Sequence, residues 1–249
     1  MDYYTEVTSR LTTLNETAEA GGMDEAVDLI AAAIASGGII QAFGTGHSEA
    51  FAMEMAGRAG GLIPSHALKL YDLVLMGKRP LGLMGSADLE RDPRAADELY
   101  GLYSIDANDV FIIASNSGAN GSTVGLALRA KAEGHPVIAV TSLLHSRGVS
   151  SKHPSGRRLF ETADVVIDNL APYGDATLEF SDVTVGAVSS ITAAYIAQLL
   201  TIRTAEKLSA TGMKPPIYLS ANIPGGDEHN AVLKEKYGVR INPYLEYHS

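Results

Sequence analysis

The sequence contains no cysteine. That excludes a disulfide framework, a thiolate metal site and a thiol nucleophile, so any reacting group must be an oxygen or an imidazole. It also lacks any apolar run near the roughly 20 residues that span a bilayer. Its opening, MDYYTEVTSRL, is acidic and aromatic with no basic segment leading into an apolar one. Neither a membrane span nor a secretory leader is expected, and the cytoplasm is the expected location. Positive charge is scarce: 19 Lys and Arg face 29 Asp and Glu, for a formal net charge of −10. General affinity for nucleic acid or anionic membranes is therefore not expected. A small anion is admissible, because a nest of backbone N–H groups binds phosphate even inside an acidic protein. No HExxH or other compact metal spacing occurs, and no metal or cofactor is expected.

What is present is a 249-residue chain that is 46% hydrophobic, enough for one large α/β domain with appendages. Helical periodicity predicts helices over 3–20 and 23–36, broken at Gly21-Gly22, which make an N-terminal hairpin over residues 1–37. Residues 38–210 carry alternating strand and helix signals, and 211–249 form a C-terminal extension with one helix start at Gly225-Gly226-Asp227. Within the central part the pattern predicts a helix over 48–59, a short strand near 66–70, strands at 110–114, 137–140 and 164–169, and a long helix over 181–209. Segment 71–91, YDLVLMGKRPLGLMGSADLER, has no clean period and reads either as a packed surface loop or as a lid or subunit contact.

Two turns stand out. In IIQAFGTGHSEAF, residues 39–51, an apolar strand ends in Gly44 and Gly46, where the backbone can approach closely, and Ser48 stands where a helix would begin. In DVFIIASNSGANGSTVGLALRAKAEGHPVIAVTS, residues 109–142, a second apolar strand runs into Ser115–Ser122, then a helix and a third strand, the unit that builds parallel sheets. Turns at the carboxyl ends of parallel strands gather on one edge, so both face one crevice. Ser115, Ser117, Asn120, Ser122 and Thr123 offer neutral donors that suit a phosphate monoester. Neither turn ends in Gly-Lys-Ser or Gly-Lys-Thr, nor follows Gly-x-Gly-x-x-Gly, which argues against nucleoside triphosphates and NAD.

With FGTGHS as the first turn, ASNSGANGST matching a Ser-x-Ser-Gly phosphate turn and AKAEGHPVIAVTS as the following helix and strand, the chain resembles the sugar isomerase (SIS) domain family over roughly residues 38–200. It is similar to its phosphoheptose isomerases and N-acetylmuramic acid 6-phosphate etherases. The resemblance implies a doubly wound, five-stranded parallel sheet flanked by helices, with a sugar-phosphate site at the strand ends. It also implies assembly as homodimers or homotetramers that share sites. By position, Gly46, Ser48, Ser115, Asn116, Ser117, Gly118 and Asn120 would hold the phosphate, Asn120 standing where the family often has Thr. The etherases' full Gly-Thr-Ser-Gly-Arg signature is absent.

The chemistry this implies is abstraction of the proton on carbon 2 of an amino-sugar or sugar 6-phosphate, N-acetylglucosamine 6-phosphate being a leading candidate. Transfer of that proton to carbon 1 gives aldose–ketose isomerisation, and loss of the group on carbon 3 gives β-elimination. Either needs a positioned carboxylate or imidazole. The candidates are Glu54, in an EMAGR segment that resembles the Glu-Leu-Thr-Gly-Arg of phosphoheptose isomerases but arrives one helical turn earlier, with Glu49 on the same helix, Glu179, His47 and His145. Asp175, His153, Arg147, Arg157, Arg158, His229 and Asn230 are further polar residues that could reach the site, whereas His66 reads as structural. The alternative to an enzyme is a phosphosugar-sensing module. The acidic segment before the first strand has no basic recognition helix, which argues against a DNA-binding sensor.

Overall fold

In the computed structural model, residues 2–76 and 78–243 are described. Residues 1, 77 and 244–249, the last six of which end the 211–249 extension, lie outside them. The chain opens with two helices, α1 (Tyr3–Glu19) and α2 (Asp24–Ala35). The Asp2 carboxylate starts α1 by accepting the Thr5 N–H at 2.8 Å. Strand β1 (Ile40–Gly44) follows, then a 3₁₀ turn at Gly46–Ser48, α3 (Glu49–Met55) and β2 (Ser65–Leu68). The aperiodic segment resolves into α4 (Asp72–Leu75), a 3₁₀ turn at Leu81–Leu83 and α5 (Ala87–Arg91), ahead of α6 (Arg94–Tyr100). Then come β3 (Val110–Ala114), α7 (Gly121–Ala132), β4 (Val137–Thr141), α8 (Leu143–Arg147) and β5 (Val165–Asp168). A hairpin of β6 (Ala176–Phe180) and β7 (Val183–Ala187) precedes α9 (Ser189–Ala210) and α10 (Gly226–Tyr237).

The five-stranded sheet is parallel throughout, in the order β2-β1-β3-β4-β5. Its three central strands are buried at every position, which explains why they read as mostly apolar runs, with only Gln41 and Thr141 polar. Alternate side chains divide between two cores. Ile40, Ala42, Val110, Ile112, Ile138 and Val140 pack with residues of α1, α2, α3 and α9, so the N-terminal hairpin shares the sheet's own core. Phe43, Phe111, Ile113 and Ala139 face α4–α7. Phe43 and Phe111 are wholly buried, and each such side chain stabilises the fold by roughly 1.5–3 kcal/mol.

Two boundaries differ from the sequence pattern. The helix after the first turn stops at Met55 rather than at residue 59, and Ser48 lies in the 3₁₀ turn before it without capping it. The long helix begins at Ser189, not at 181. Residues 176–187 form the hairpin instead: Thr177, Glu179 and Thr184 alternate with Leu178, Phe180, Val183 and Val185 at the strand period, and Phe180 pairs with Val183 across a turn in which Ser181 takes φ 56°.

The extension packs on the amino-terminal edge of the sheet. Leu62 bridges Ile217, Gly60 N–H donates to Tyr218 O at 2.8 Å, and Arg240 reaches the wholly buried Asp109 just before β3. The carboxyl-terminal edge, where both Gly/Ser turns lie, is left to the loops.

Candidate phosphate site

The strand order reverses between β1 and β3, the switch point at which open α/β sheets bind ligands. Both turns emerge there. Ser48 N–H donates to Thr45 O at 3.1 Å and closes the first turn. A Cβ on Gly44 would lie 2.1 Å from Ser48 O, so only glycine lets the turn fold back on its strand. The second turn is braced from within: Ser115 Oγ accepts the Gly118 N–H at 3.2 Å, and Asn116 O accepts from Ser142 N–H and Thr141 Oγ1–H at 3.2 and 3.3 Å. Gly118 takes φ 59°, and a Cβ there would lie 2.9 Å from Ser146 Oγ.

His47, Ser48, Ser115 and Asn116 line one narrow cleft together with Asn169 at the end of β5 and Ser189 and Ser190 at the start of α9. Among the described residues no carboxylate lines it. Hydroxyls, amides and a helix amino terminus form a donor-rich, uncharged surface of the kind that suits an anion. Asn169 Nδ2 donates to Asn116 Oδ1 at 3.2 Å and fixes that amide. The α9 terminus is anchored by Asp175, which accepts from Val188 N–H, Ser189 N–H and Ser189 Oγ–H at 3.1, 2.8 and 2.7 Å.

Of the residues singled out in the sequence, Gly46 and Gly118 shape the turns, and Ser117 Oγ accepts the Ala119 N–H at 3.4 Å beside the cleft. Asn120 is the residue before α7 and makes no side-chain cap. His47 is exposed at the cleft. Glu54 is turned away, to Arg58 and to Gln198 Nε2, which donates to it at 2.6 Å. Glu179 stands exposed on the hairpin opposite Thr184. His145 Nδ1 accepts the Gly174 N–H at 3.2 Å, so the neutral ring carries its proton on Nε2. Burial holds that imidazole below its usual value, with the Asp175 carboxylate opposing. Arg158 pairs with Glu161, whose carboxyl its hydrogen bond lowers to about 2. His153 is bonded to Ser155 Oγ at 2.8 Å. His229 and Asn230 bond to the backbone of Ile217 and Leu219 in the extension, at the far edge of the sheet.

Sequence reasoning missed Asn169, Ser189 and Ser190. Asn169 carried a signal, a polar residue directly after an apolar strand. The two serines were hidden by the helix start set too early. Among the described residues no group of three or more His, Asp or Glu could hold a metal ion, and no helix is long and apolar enough to cross a membrane.

Residues 2–142 match the SIS domain family. A UPF0309 protein of Geobacillus thermodenitrificans is 37% identical over 246 residues, 98% of this chain and 97% of that protein. Another, from Halalkalibacterium halodurans, is 38% identical over 221 residues, 88% of this chain and 87% of its own. Among solved structures, a phosphoheptose isomerase from Francisella tularensis superposes with a TM-score of 0.52 over 82% of this chain and 96% of that one, at 17% identity, a likeness of fold. Two Gly/Ser turns meeting at the switch point of a five-stranded parallel sheet, with the family match over more than half its length, establish that the chain belongs to the SIS domain family.

Proposed function

We propose that this protein binds a sugar or amino-sugar 6-phosphate, N-acetylglucosamine 6-phosphate foremost, with the phosphate in the cleft between the two turns, and removes the proton on carbon 2. Isomerisation or β-elimination follows according to where the electron pair goes. The observation that carries the reading is the cleft itself: Ser48, Ser115, Asn116 and Ser190 converge with no carboxylate among its lining residues. His47, at the same cleft, is positioned to donate to a sugar oxygen or to accept a proton. The exposed Phe180, Val183 and Val185 on the hairpin (60%, 56% and 45% accessible) support assembly with further copies of the chain as a homodimer or homotetramer. A cysteine-free chain also suits a cytoplasmic setting.

A non-catalytic phosphosugar sensor is the second reading, favoured by the absence of Glu54 and Glu179 from the residues that line the cleft. The test is a panel of hexose and N-acetylhexosamine 6-phosphates. Thermal stabilisation is expected with the phosphorylated sugars and absent with the free sugars. At a hundredfold excess over Kd, linkage supplies about 2.7 kcal/mol. Ser48→Ala should reduce the affinity about tenfold or more without changing the unliganded melting temperature, because Ser48 caps nothing. Equal stabilisation by phosphorylated and free sugars removes the phosphate assignment. Solvent deuterium entering carbon 2 supports the enzyme, and binding without exchange supports the sensor.

A further inference from the structure

The first turn has two sides. His47 and Ser48 line the phosphate cleft, whereas Gly44, Thr45, Gly46 and Glu49 line a neighbouring cavity of ≈ 150 Å³ whose opposite wall is Tyr71 and residues 85–90. The ionisable groups facing this second cavity differ in kind from those of the cleft. Glu49 and Glu90 carry its carboxylates, Tyr71 also lines it, and among the described residues no Lys, Arg or His does.

Glu90 is held there deliberately by the fold. Ser122 Oγ, in the first turn of α7, donates to Glu90 O at 2.8 Å and ties α5 to the second phosphate turn's helix. The Glu90 carboxylate accepts from Thr45 Oγ1–H and lies 3.4 Å from where a Cβ on Gly46 would be. One side of the turn therefore carries only uncharged donors and acceptors and the other carries two carboxylates, and a phosphate monoester of a polyol is a ligand with one anionic end and one body of hydroxyl donors.

On the reading that the cleft takes the phosphate, we propose that Glu49 and Glu90 form the sugar-binding half of the site, accepting hydrogen bonds from the hydroxyl or amine groups of the same ligand, with Tyr71 and residues 85–90 as its wall. A second anion is a poor occupant of a cavity whose described lining residues include two carboxylates and no cation. Burial raises the Glu49 carboxyl above its ordinary value, with Asp72 adding and Lys69 opposing. This allows Glu49 to exchange a proton with a bound sugar nearer to neutral pH than a solvated glutamate would.

Calorimetric titration of the full chain with the phosphosugar that binds it best, and separately with inorganic phosphate, tests the assignment. Glu49→Ala and Glu90→Ala should each lose about tenfold or more in affinity for the phosphosugar and bind inorganic phosphate within about twofold of wild type. Glu90→Gln, which keeps size and one acceptor, should fall between wild type and Glu90→Ala, and it stands in if Glu90→Ala unfolds. Unchanged phosphosugar affinity in Glu49→Ala and in the Glu90 variants overturns the inference and leaves the phosphate cleft standing. Wild type binding the phosphosugar no more tightly than inorganic phosphate overturns it likewise. Wild type binding neither removes the phosphate reading and this inference together.

Discussion

His66 on β2 shows how one residue can write a pH dependence into the whole fold. Only 6% exposed, it has Gln41 Oε1 3.3 Å from its Nδ1 and the Tyr103 ring edge-on at 4.7 Å. Burial lowers its pKa to about 4, with Asp72 opposing, Lys69 adding and Asp109 opposing. The folded protein thus favours the neutral ring. Below about pH 6.5 the unfolded chain takes up this proton before the folded one does, so the stability is complete above that pH and is lost as pH falls to about 4. The loss is on the order of 3 kcal/mol for a depression of this size. Urea midpoints measured across that window should fall for wild type and fall less for His66→Gln. Parallel profiles would place the dependence elsewhere.

At the scale of elements, the junction between the hairpin and α9 connects packing to the site. Asp175 accepts three hydrogen bonds at the helix start, while Ser189 and Ser190 of the same turn line the cleft. Asp175→Ala should cost roughly 1–3 kcal/mol in urea unfolding, the loss of a helix cap with several partners. It should also weaken phosphosugar binding, because the α9 terminus loses its anchor. A stable variant with unchanged binding would show that α9 is positioned by its core contacts alone.

For the whole molecule, one guanidinium joins the backbone bridge at Leu62–Ile217 and the packing of Tyr218 and Tyr237 on Ile39 and Ile63 in fastening the extension across the sheet's amino-terminal edge. Arg240 pairs with Asp109 and donates to Gly37 O at 3.1 Å. Asp109 also accepts from Ile39 N–H and Gln41 Nε2, both at 2.9 Å, and from Asp106 N–H at 3.1 Å. Arg240→Ala should therefore destabilise by on the order of 2 kcal/mol, less than the roughly 3–5 of a fully buried pair, since the Arg240 side chain is 21% exposed and the carboxylate keeps other donors. Hydrogen exchange should quicken first in α10 and at Tyr218, with β1 and β3 following only on global unfolding.

Much of this was legible before any tertiary contact was known. Strands buried on both faces leave mostly apolar runs at 40–44, 110–114 and 137–141, interrupted only by Gln41 and the closing Thr141, and the turns after them need Gly and Ser for backbone reasons that act over a few residues. The sheet, the two Gly/Ser turns at its edge and the family resemblance therefore followed from the sequence by itself. The hairpin at 176–187 was readable in principle from its period of two, but the helical run after it masked the boundary. What only the tertiary structure decided is which distant side chains meet. That Asn169 braces Asn116, that Asp175 starts α9, that Glu54 turns to Gln198 and that Glu90 reaches Thr45 all depend on residues from 14 to 144 positions apart and on the angle at which a loop returns. Periodicity records which face of an element is buried, and it carries no information about what lies against that face.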